Sequence, residues 1–198
     1  TVCDRALLLN AGHLEKQGSP EVIMDYYNAL IADKANSRLE QNCRDDGRVE
    51  TVSGTGEARV FSIELINEEG KAVEAINVGE KVTLRVVVSV HQSIERLVLG
   101  YGIKDRLGQI MFGTNTYITG QVQETVQAGE KVTFECEFRA NLGQGNYSVQ
   151  TALVSSDTHL VDNYEWRDLA LVFQVININR QHFAGSAWLP PRIGIHRT

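Results

Sequence analysis

The sequence predicts a mainly β protein: an immunoglobulin-like antiparallel β-sandwich preceded by a short hairpin and one α-helix. Three observations carry this reading. From Ala58 onward apolar and polar residues alternate, the period-two pattern of strands with one buried face. Turn clusters separate the alternating runs at Asn67-Glu68-Glu69-Gly70, Asp105-Arg106-Leu107-Gly108 and Leu142-Gly143-Gln144-Gly145-Asn146. Ahead of residue 58 the helical period appears in one place, after Ser19.

The elements follow in chain order. The apolar burst Ala6-Leu7-Leu8-Leu9 runs into Asn10-Ala11-Gly12 and a second arm ending at Gly18, which reads as a hairpin. No charged segment leads into a long apolar run here, so a targeting peptide is not expected. Ser19-Pro20-Glu21 is a helix start: a capping hydroxyl, proline at the first helical position, and a carboxylate at the positive end of the dipole. Val22, Ile23, Tyr26, Tyr27, Leu30 and Ile31 then form one apolar stripe. Residues 35–57 have no period, much charge and a Gly-Thr-Gly, and read as a linker. The domain plan is therefore 1–34, a linker over 35–57, the sandwich over 58–180 and an extended tail over 181–198.

Strands are expected at 58–66, 72–78, 81–90, 96–104, 109–112, 115–119, 131–139, 146–155 and 168–178. Alternation divides each into two faces. Phe61, Ile63 and Leu65, then Val82, Leu84, Val86 and Val88, then Val132, Phe134, Cys136 and Phe138 point inward. Thr83, Arg85, Thr133, Glu135, Glu137 and Arg139 point outward, giving one sheet with a charged, solvated outer face. The strands over 96–104, 146–155 and 168–178 differ. Their outward sets include Gly100, Gly102, Gln150, Ala152 and Gln174, small or amide-bearing. Missing side chains at Gly100 and Gly102 let another molecule approach the backbone. An uncharged hollow with amide groups suits a neutral, hydroxyl-rich ligand, although the tail or a second copy covering this face would explain it as well.

Two stretches flank that sheet, FGTNTYIT at 112–119 and SSDTHLVDNYEW at 155–166. They mix Asn, Asp and Thr with aromatic residues, the combination that stacks on sugar rings and binds vicinal hydroxyls. The candidate carbohydrate-binding residues are Gly100, Gly102, Asn115, Tyr117, Gln150, Asp157, His159, Tyr164, Trp166 and Gln174. The same residue types also fill turns and sandwich edges for purely structural reasons. An enzymatic alternative would draw a carboxylate pair from Asp157, Asp162, Glu165 and Asp168. No GxSxG, HExxH or GxxxxGK[ST] occurs, and the three cysteines and five histidines show no metal-ligand spacing. No catalytic residue and no metal are expected.

Composition bounds the rest. Hydrophobic content of 42% and charged content of 22% are ordinary for a globular protein of 198 residues. A net charge of −6 argues against nucleic acid as a partner. No apolar run approaches the roughly 18–20 residues that span a bilayer. Three widely separated cysteines fit a reduced compartment.

The stretch CDRALLLNAGHLEKQGSPEVIMDYY (3–27) resembles the last part of ABC-transporter ATPase domains, where a DRALLL strand precedes a closing helix opened by GSPE. Lys104-Asp105-Arg106-Leu107-Gly108-Gln109 through Phe112-Gly113-Thr114-Asn115-Thr116 is similar to the sandwich of the ATP-binding subunit of bacterial O-antigen polysaccharide exporters. Gly143-Gln144-Gly145-Asn146-Tyr147-Ser148 resembles a later strand start of the same family. The resemblance implies a cytoplasmic module, peripheral to the inner membrane, that holds O-antigen polysaccharide for export without catalysing anything. It implies partnership with a membrane-spanning subunit and a homodimer. ATP and Mg would belong to the full-length subunit, and this chain would carry no cofactor. The tail, with Phe183, Trp188, Leu189, Ile193 and Ile195 around Pro190-Pro191, is expected to be extended and able to add as an edge strand to its own sandwich or to a second copy. The alternative function is a protein-interaction sandwich that binds no glycan.

Overall fold

The computed structural model describes residues 3–20, 22–24, 26–27, 38–43, 49–156 and 163–197. The opening hairpin forms as expected: β1 (Ala6–Asn10) pairs antiparallel with β2 (His13–Gly18). Its turn places Ala11 and Gly12 at φ of 47° and 83°. Residues 20, 22–24 and 26–27 are helical, and the Ile23 N–H donates to the Ser19 carbonyl oxygen at 3.1 Å, the first helical bond behind the capping residue. Ile23 is buried while Met24 and Tyr27 are exposed. Leu30 and Ile31 of the expected stripe lie outside the described residues.

Two sheets then build the sandwich. The smaller has the order β11-β7-β5, from β5 (Ala58–Asn67), β7 (Lys81–Val90) and β11 (Lys131–Arg139). The larger runs β10-β8-β12-β13-β4-β3, from β3 (Arg38–Cys43), β4 (Val49–Gly54), β8 (Ile94–Asp105), β10 (Gln123–Val126), β12 (Gly145–Val154) and β13 (Asn163–Ile176). β6 (Ala75–Asn77) joins β13 in parallel, and β9 (Ile110–Asn115) joins β8. Val82, Leu84, Val86 and Val88 meet Leu97, Leu99, Val149, Leu153, Phe173 and Val175 between the sheets, all buried. Tyr147 and Phe173 stack at 5.7 Å inside this layer. Removing these side chains from water is the main favourable term in folding.

The structure departs from the sequence reading at several points. The expected linker carries β3 and β4, and β4 is an integral strand: Ser53 and Val52 pair with Trp166 and Arg167. Thr55 and Gly56 extend the attachment by donating to the Asn163 and Tyr164 carbonyls at 2.9 Å. Phe61 does not point inward. A register shift between Val60 and Ser62 inserts one extra residue, and a bulge of this kind turns that side chain out, leaving Phe61 64% exposed beneath Lys131. The two short strands expected over 109–119 are one strand, β9, followed by a turn in which Gly120 N–H donates to Tyr117. β13 starts at Asn163, five residues before the expected 168, because polar residues that read as loop are buried in it. Among its described residues the tail forms no regular strand; it docks through a bridge between Leu142 and Ala187 and through Phe183 and Trp188, whose rings lie 4.9 Å apart against the core.

Candidate functional site

Strand pairing fixes which residues of the large sheet share its outer face. Asn115, Gly100, Ala152, Trp166 and Ser53 form one row across β9, β8, β12, β13 and β4. Gly113, Gly102 and Gln150 form the next. Between these rows lies a hollow of about 300 Å³, at the small end of ligand sites. Gly100 and Ala152 make its floor, Trp166 one wall, Asn115, Thr114 and Ile118 the other, and Gln150 one end. A Cβ on Gly100 would meet Asn115 and Ala152 at 3.6–3.7 Å, ordinary contact distance, so the backbone there is open enough for a ligand to approach it. At Gly102 a Cβ would meet the Gln150 side chain at 3.1 Å; the missing side chain is what lets the Gln150 amide lie across β8.

The turn after β9 shapes the far wall. Asn115 Oδ1 accepts from the Ile118 N–H at 2.7 Å, and Thr116 Oγ1 accepts from the Leu99 N–H at 3.1 Å. The FGTNT run is therefore a folded turn that also presents Gly113, Thr114 and Asn115 to the hollow. Tyr101, on the same stretch of β8, is half-buried against Phe112 at 6.0 Å. Burial, with Cys136 nearby, pushes its phenol up to about 12, so it stays a neutral hydrogen-bond donor at physiological pH.

Of the sequence-predicted residues, Gly100, Asn115, Gln150 and Trp166 line the hollow, and Gly102 lies beneath Gln150. Tyr117 stands exposed beside Ile118, just outside the lining. Tyr164 is not at the site: it is buried among core residues, and its hydroxyl donates to the Arg96 carbonyl at 3.0 Å. Gln174 is exposed toward the other end of β13, paired with Asn146 and Ala75, and does not line the hollow. Asp157, His159 and Asp162 lie outside the described residues. The lining residues missed among the candidates are chiefly Ala152, Thr114 and Ile118. Ala152 falls on the outward face by alternation and Thr114 and Ile118 lie within FGTNTYIT, so the signal for all three is present in the sequence.

Glu165 and Asp168, two of the carboxylates considered for hydrolysis, are buried and bound to backbone. Glu165 Oε1 accepts from Val60 N–H at 3.0 Å and Asp168 Oδ1 from Thr51 N–H at 2.7 Å. Burial raises the Glu165 carboxyl above its ordinary range, while Arg167, the Val60 N–H and Arg59 pull it back. No carboxylate lines the hollow among the described residues, and no group of metal-ligating side chains gathers among them.

Fold and hollow together define an immunoglobulin-like β-sandwich with a neutral cavity on the outer face of one sheet. Residues 49–189 match the Wzt C-terminal domain family, and the chain belongs to it. That membership places the chain with the O-antigen ABC exporter system. The crystal structure of the C-terminal domain of wzt is similar, with a TM-score of 0.65 at 17% identity over 79% of this chain and 93% of that one. An alkylpurine DNA glycosylase, AlkC of Pseudomonas fluorescens bound to abasic DNA, gives 0.39 at 15% identity over 61% and 30%. A β-glucosidase from Listeria innocua in complex with glucose gives 0.34 at 14% over 65% and 16%, and both of these likenesses are too slight to show a shared fold. Among curated proteins none matches the sequence.

Proposed function

We propose that this chain is a non-catalytic glycan-recognition domain that holds O-antigen polysaccharide on the cytoplasmic side and couples its binding to export through the membrane-spanning subunit. One observation carries the reading: the hollow is walled by Trp166, floored by Gly100 and Ala152, edged by Gln150 and Asn115, and has no carboxylate, amine or guanidinium among the described residues that line it. Trp166 supplies an apolar face for a pyranose ring, and the amide side chains supply donors and acceptors for neutral hydroxyls. Among the described residues no helix is long and apolar enough to cross a membrane. On this reading ATP and Mg²⁺ would bind the ATPase part of such a subunit; no phosphate-loop motif occurs in this sequence.

Titration of the purified chain with the polysaccharide of its own source, followed by Trp fluorescence, tests this. Saturable binding without release of reducing ends is expected. Gly100→Leu fills the floor while its Cβ sits at ordinary contact distance; it is expected to abolish binding and keep the far-UV circular dichroism. Equal binding by Gly100→Leu would move the site elsewhere. A specific feature also favours a homodimer: beyond the docked Trp188, the tail exposes Leu189, Ile193 and Ile195 at 78–84%. No glycan binding together with a stable dimer would make protein interaction the function of the sandwich.

A further inference from the structure

We propose that Glu165, Arg167 and Asp168 are positioning residues for the hollow: they clamp the stretch of β13 that carries Trp166 onto β4 and β5, and so fix the wall on which the ligand rests. This rests on the reading of the hollow as the glycan site. Trp166 faces outward, and its neighbours Glu165 and Arg167 stand on the opposite face, paired with Leu153 and Thr151. Glu165 crosses the sandwich to the Val60 N–H of the small sheet. Arg167 lies 3.4 Å from Glu165 and 3.7 Å from Glu50 of β4. Asp168 takes the Thr51 N–H of β4.

The same stretch is irregular in a way that concerns the hollow. Val149 pairs with Leu171 and Thr151 with Arg167, so residues 168–170 all stand opposite Gln150 alone. A bulge re-aims side chains and interrupts the ladder, and here it adjoins two lining residues, Trp166 and Gln150. Asp168 opens the bulge and is tied to β4 at that point. Buried charges are poor sources of stability, since their desolvation offsets much of their attraction. Three ionisable side chains within residues 165–168, with Glu50 beside Arg167, are better explained by the need to hold one geometry, which is what a preformed binding wall requires.

The test uses the full chain with Trp188→Phe, so that Trp166 is the only indole. Glu165→Gln, Asp168→Asn and Arg167→Lys are compared with Glu135→Gln on the exposed outer face of the small sheet. Loss of one charge-assisted hydrogen bond is expected to weaken polysaccharide binding about tenfold. Acrylamide quenching of Trp166 should rise in the same variants at temperatures where circular dichroism shows them folded, and Glu135→Gln should match the parent in both. If any one variant fails to fold, the other two decide. Folded variants with parental quenching overturn the proposal, whatever the ligand does. Raised quenching with no polysaccharide binding by the parent keeps the clamp and overturns the glycan reading; raised quenching with unchanged affinity overturns the clamp's role in binding.

Discussion

At the scale of single residues, burial rather than residue type decides what a substitution does. Phe61 and Leu65 sit on one strand and both read as core in the alternation, yet the bulge beside Val60 leaves Phe61 exposed and Leu65 1% exposed. Leu65→Ala should cost about 2–5 kcal/mol, the range for truncating a buried leucine. Phe61→Ala should cost less than about 1 kcal/mol, the scale of its contact with Lys131, whose Nζ lies 3.7 Å from the ring centre. Urea denaturation separates the two, and equal losses would mean that the bulge is misplaced. Glu165 gives a pH signature. Its carboxyl is raised by burial, so the folded state holds the proton more tightly than the unfolded chain does. Its contribution is therefore fully present below the ordinary carboxyl range and is lost as pH rises through the raised value. The groups facing it are Arg167, Arg59 and the Val60 N–H, with Glu50 next to Arg167. The melting temperature of the parent minus that of Glu165→Gln should increase as pH is lowered from 7 towards 4.5; a flat difference would mean that the carboxyl titrates alike in both states.

At the scale of elements, β4 is the segment whose membership in the sandwich is least visible in sequence. Besides its neighbour β3, its partners come from more than a hundred residues downstream, and they are polar: Asp168 for the Thr51 N–H, and the Asn163 and Tyr164 carbonyls for Thr55 and Gly56. Periodicity reports burial against apolar neighbours, so a strand secured by polar bonds reads as a linker. β7 of the small sheet is the opposite case, because strict alternation in Lys81–Val90 puts every second residue into the core. Gly54 exposes the difference experimentally. It sits at φ +143°, and a Cβ there would lie 2.3 Å from the Tyr164 carbonyl oxygen, a backbone atom that cannot swing aside. Gly54→Ala should lower stability by more than about 2 kcal/mol, as strain at a special backbone conformation does. A variant that melts with the parent would return residues 49–54 to the status of a linker.

At the scale of the whole molecule, the parts legible in the sequence are those set by local alternation. The two sheets and the floor of the hollow follow from which face each residue of β8 and β12 takes, and Gly100, Gln150 and Trp166 meet because β12 keeps register with β8 throughout and pairs Ala152 with Trp166 of β13. Tyr164 and Gln174 could not be sorted in the same way. The bulge over 168–170 breaks the alternation of β13, so outward parity at Gln174 says nothing about Trp166 eight residues away, and a second register shift between Glu165 and Asn163 leaves Tyr164 turned into the core. The tail joins both levels. Phe183 and Trp188 rest against the core with Gly143 and Trp188 N–H groups bonded across the docking line, while Leu189, Ile193 and Ile195 project into solvent. The proline pair keeps this stretch extended, and an extended segment is suited to add to a sheet edge, which the proposed homodimer would supply from a second copy. Substituting Trp188→Ala should therefore lower the stability of the domain itself, by about 1–2 kcal/mol for a half-buried ring. On the homodimer proposed above, removing residues 189–198 should leave that stability unchanged and convert the dimer to a monomer in light scattering. A dimer that survives the deletion would place the two-fold contact on the sandwich and leave the exposed isoleucines with no part in assembly.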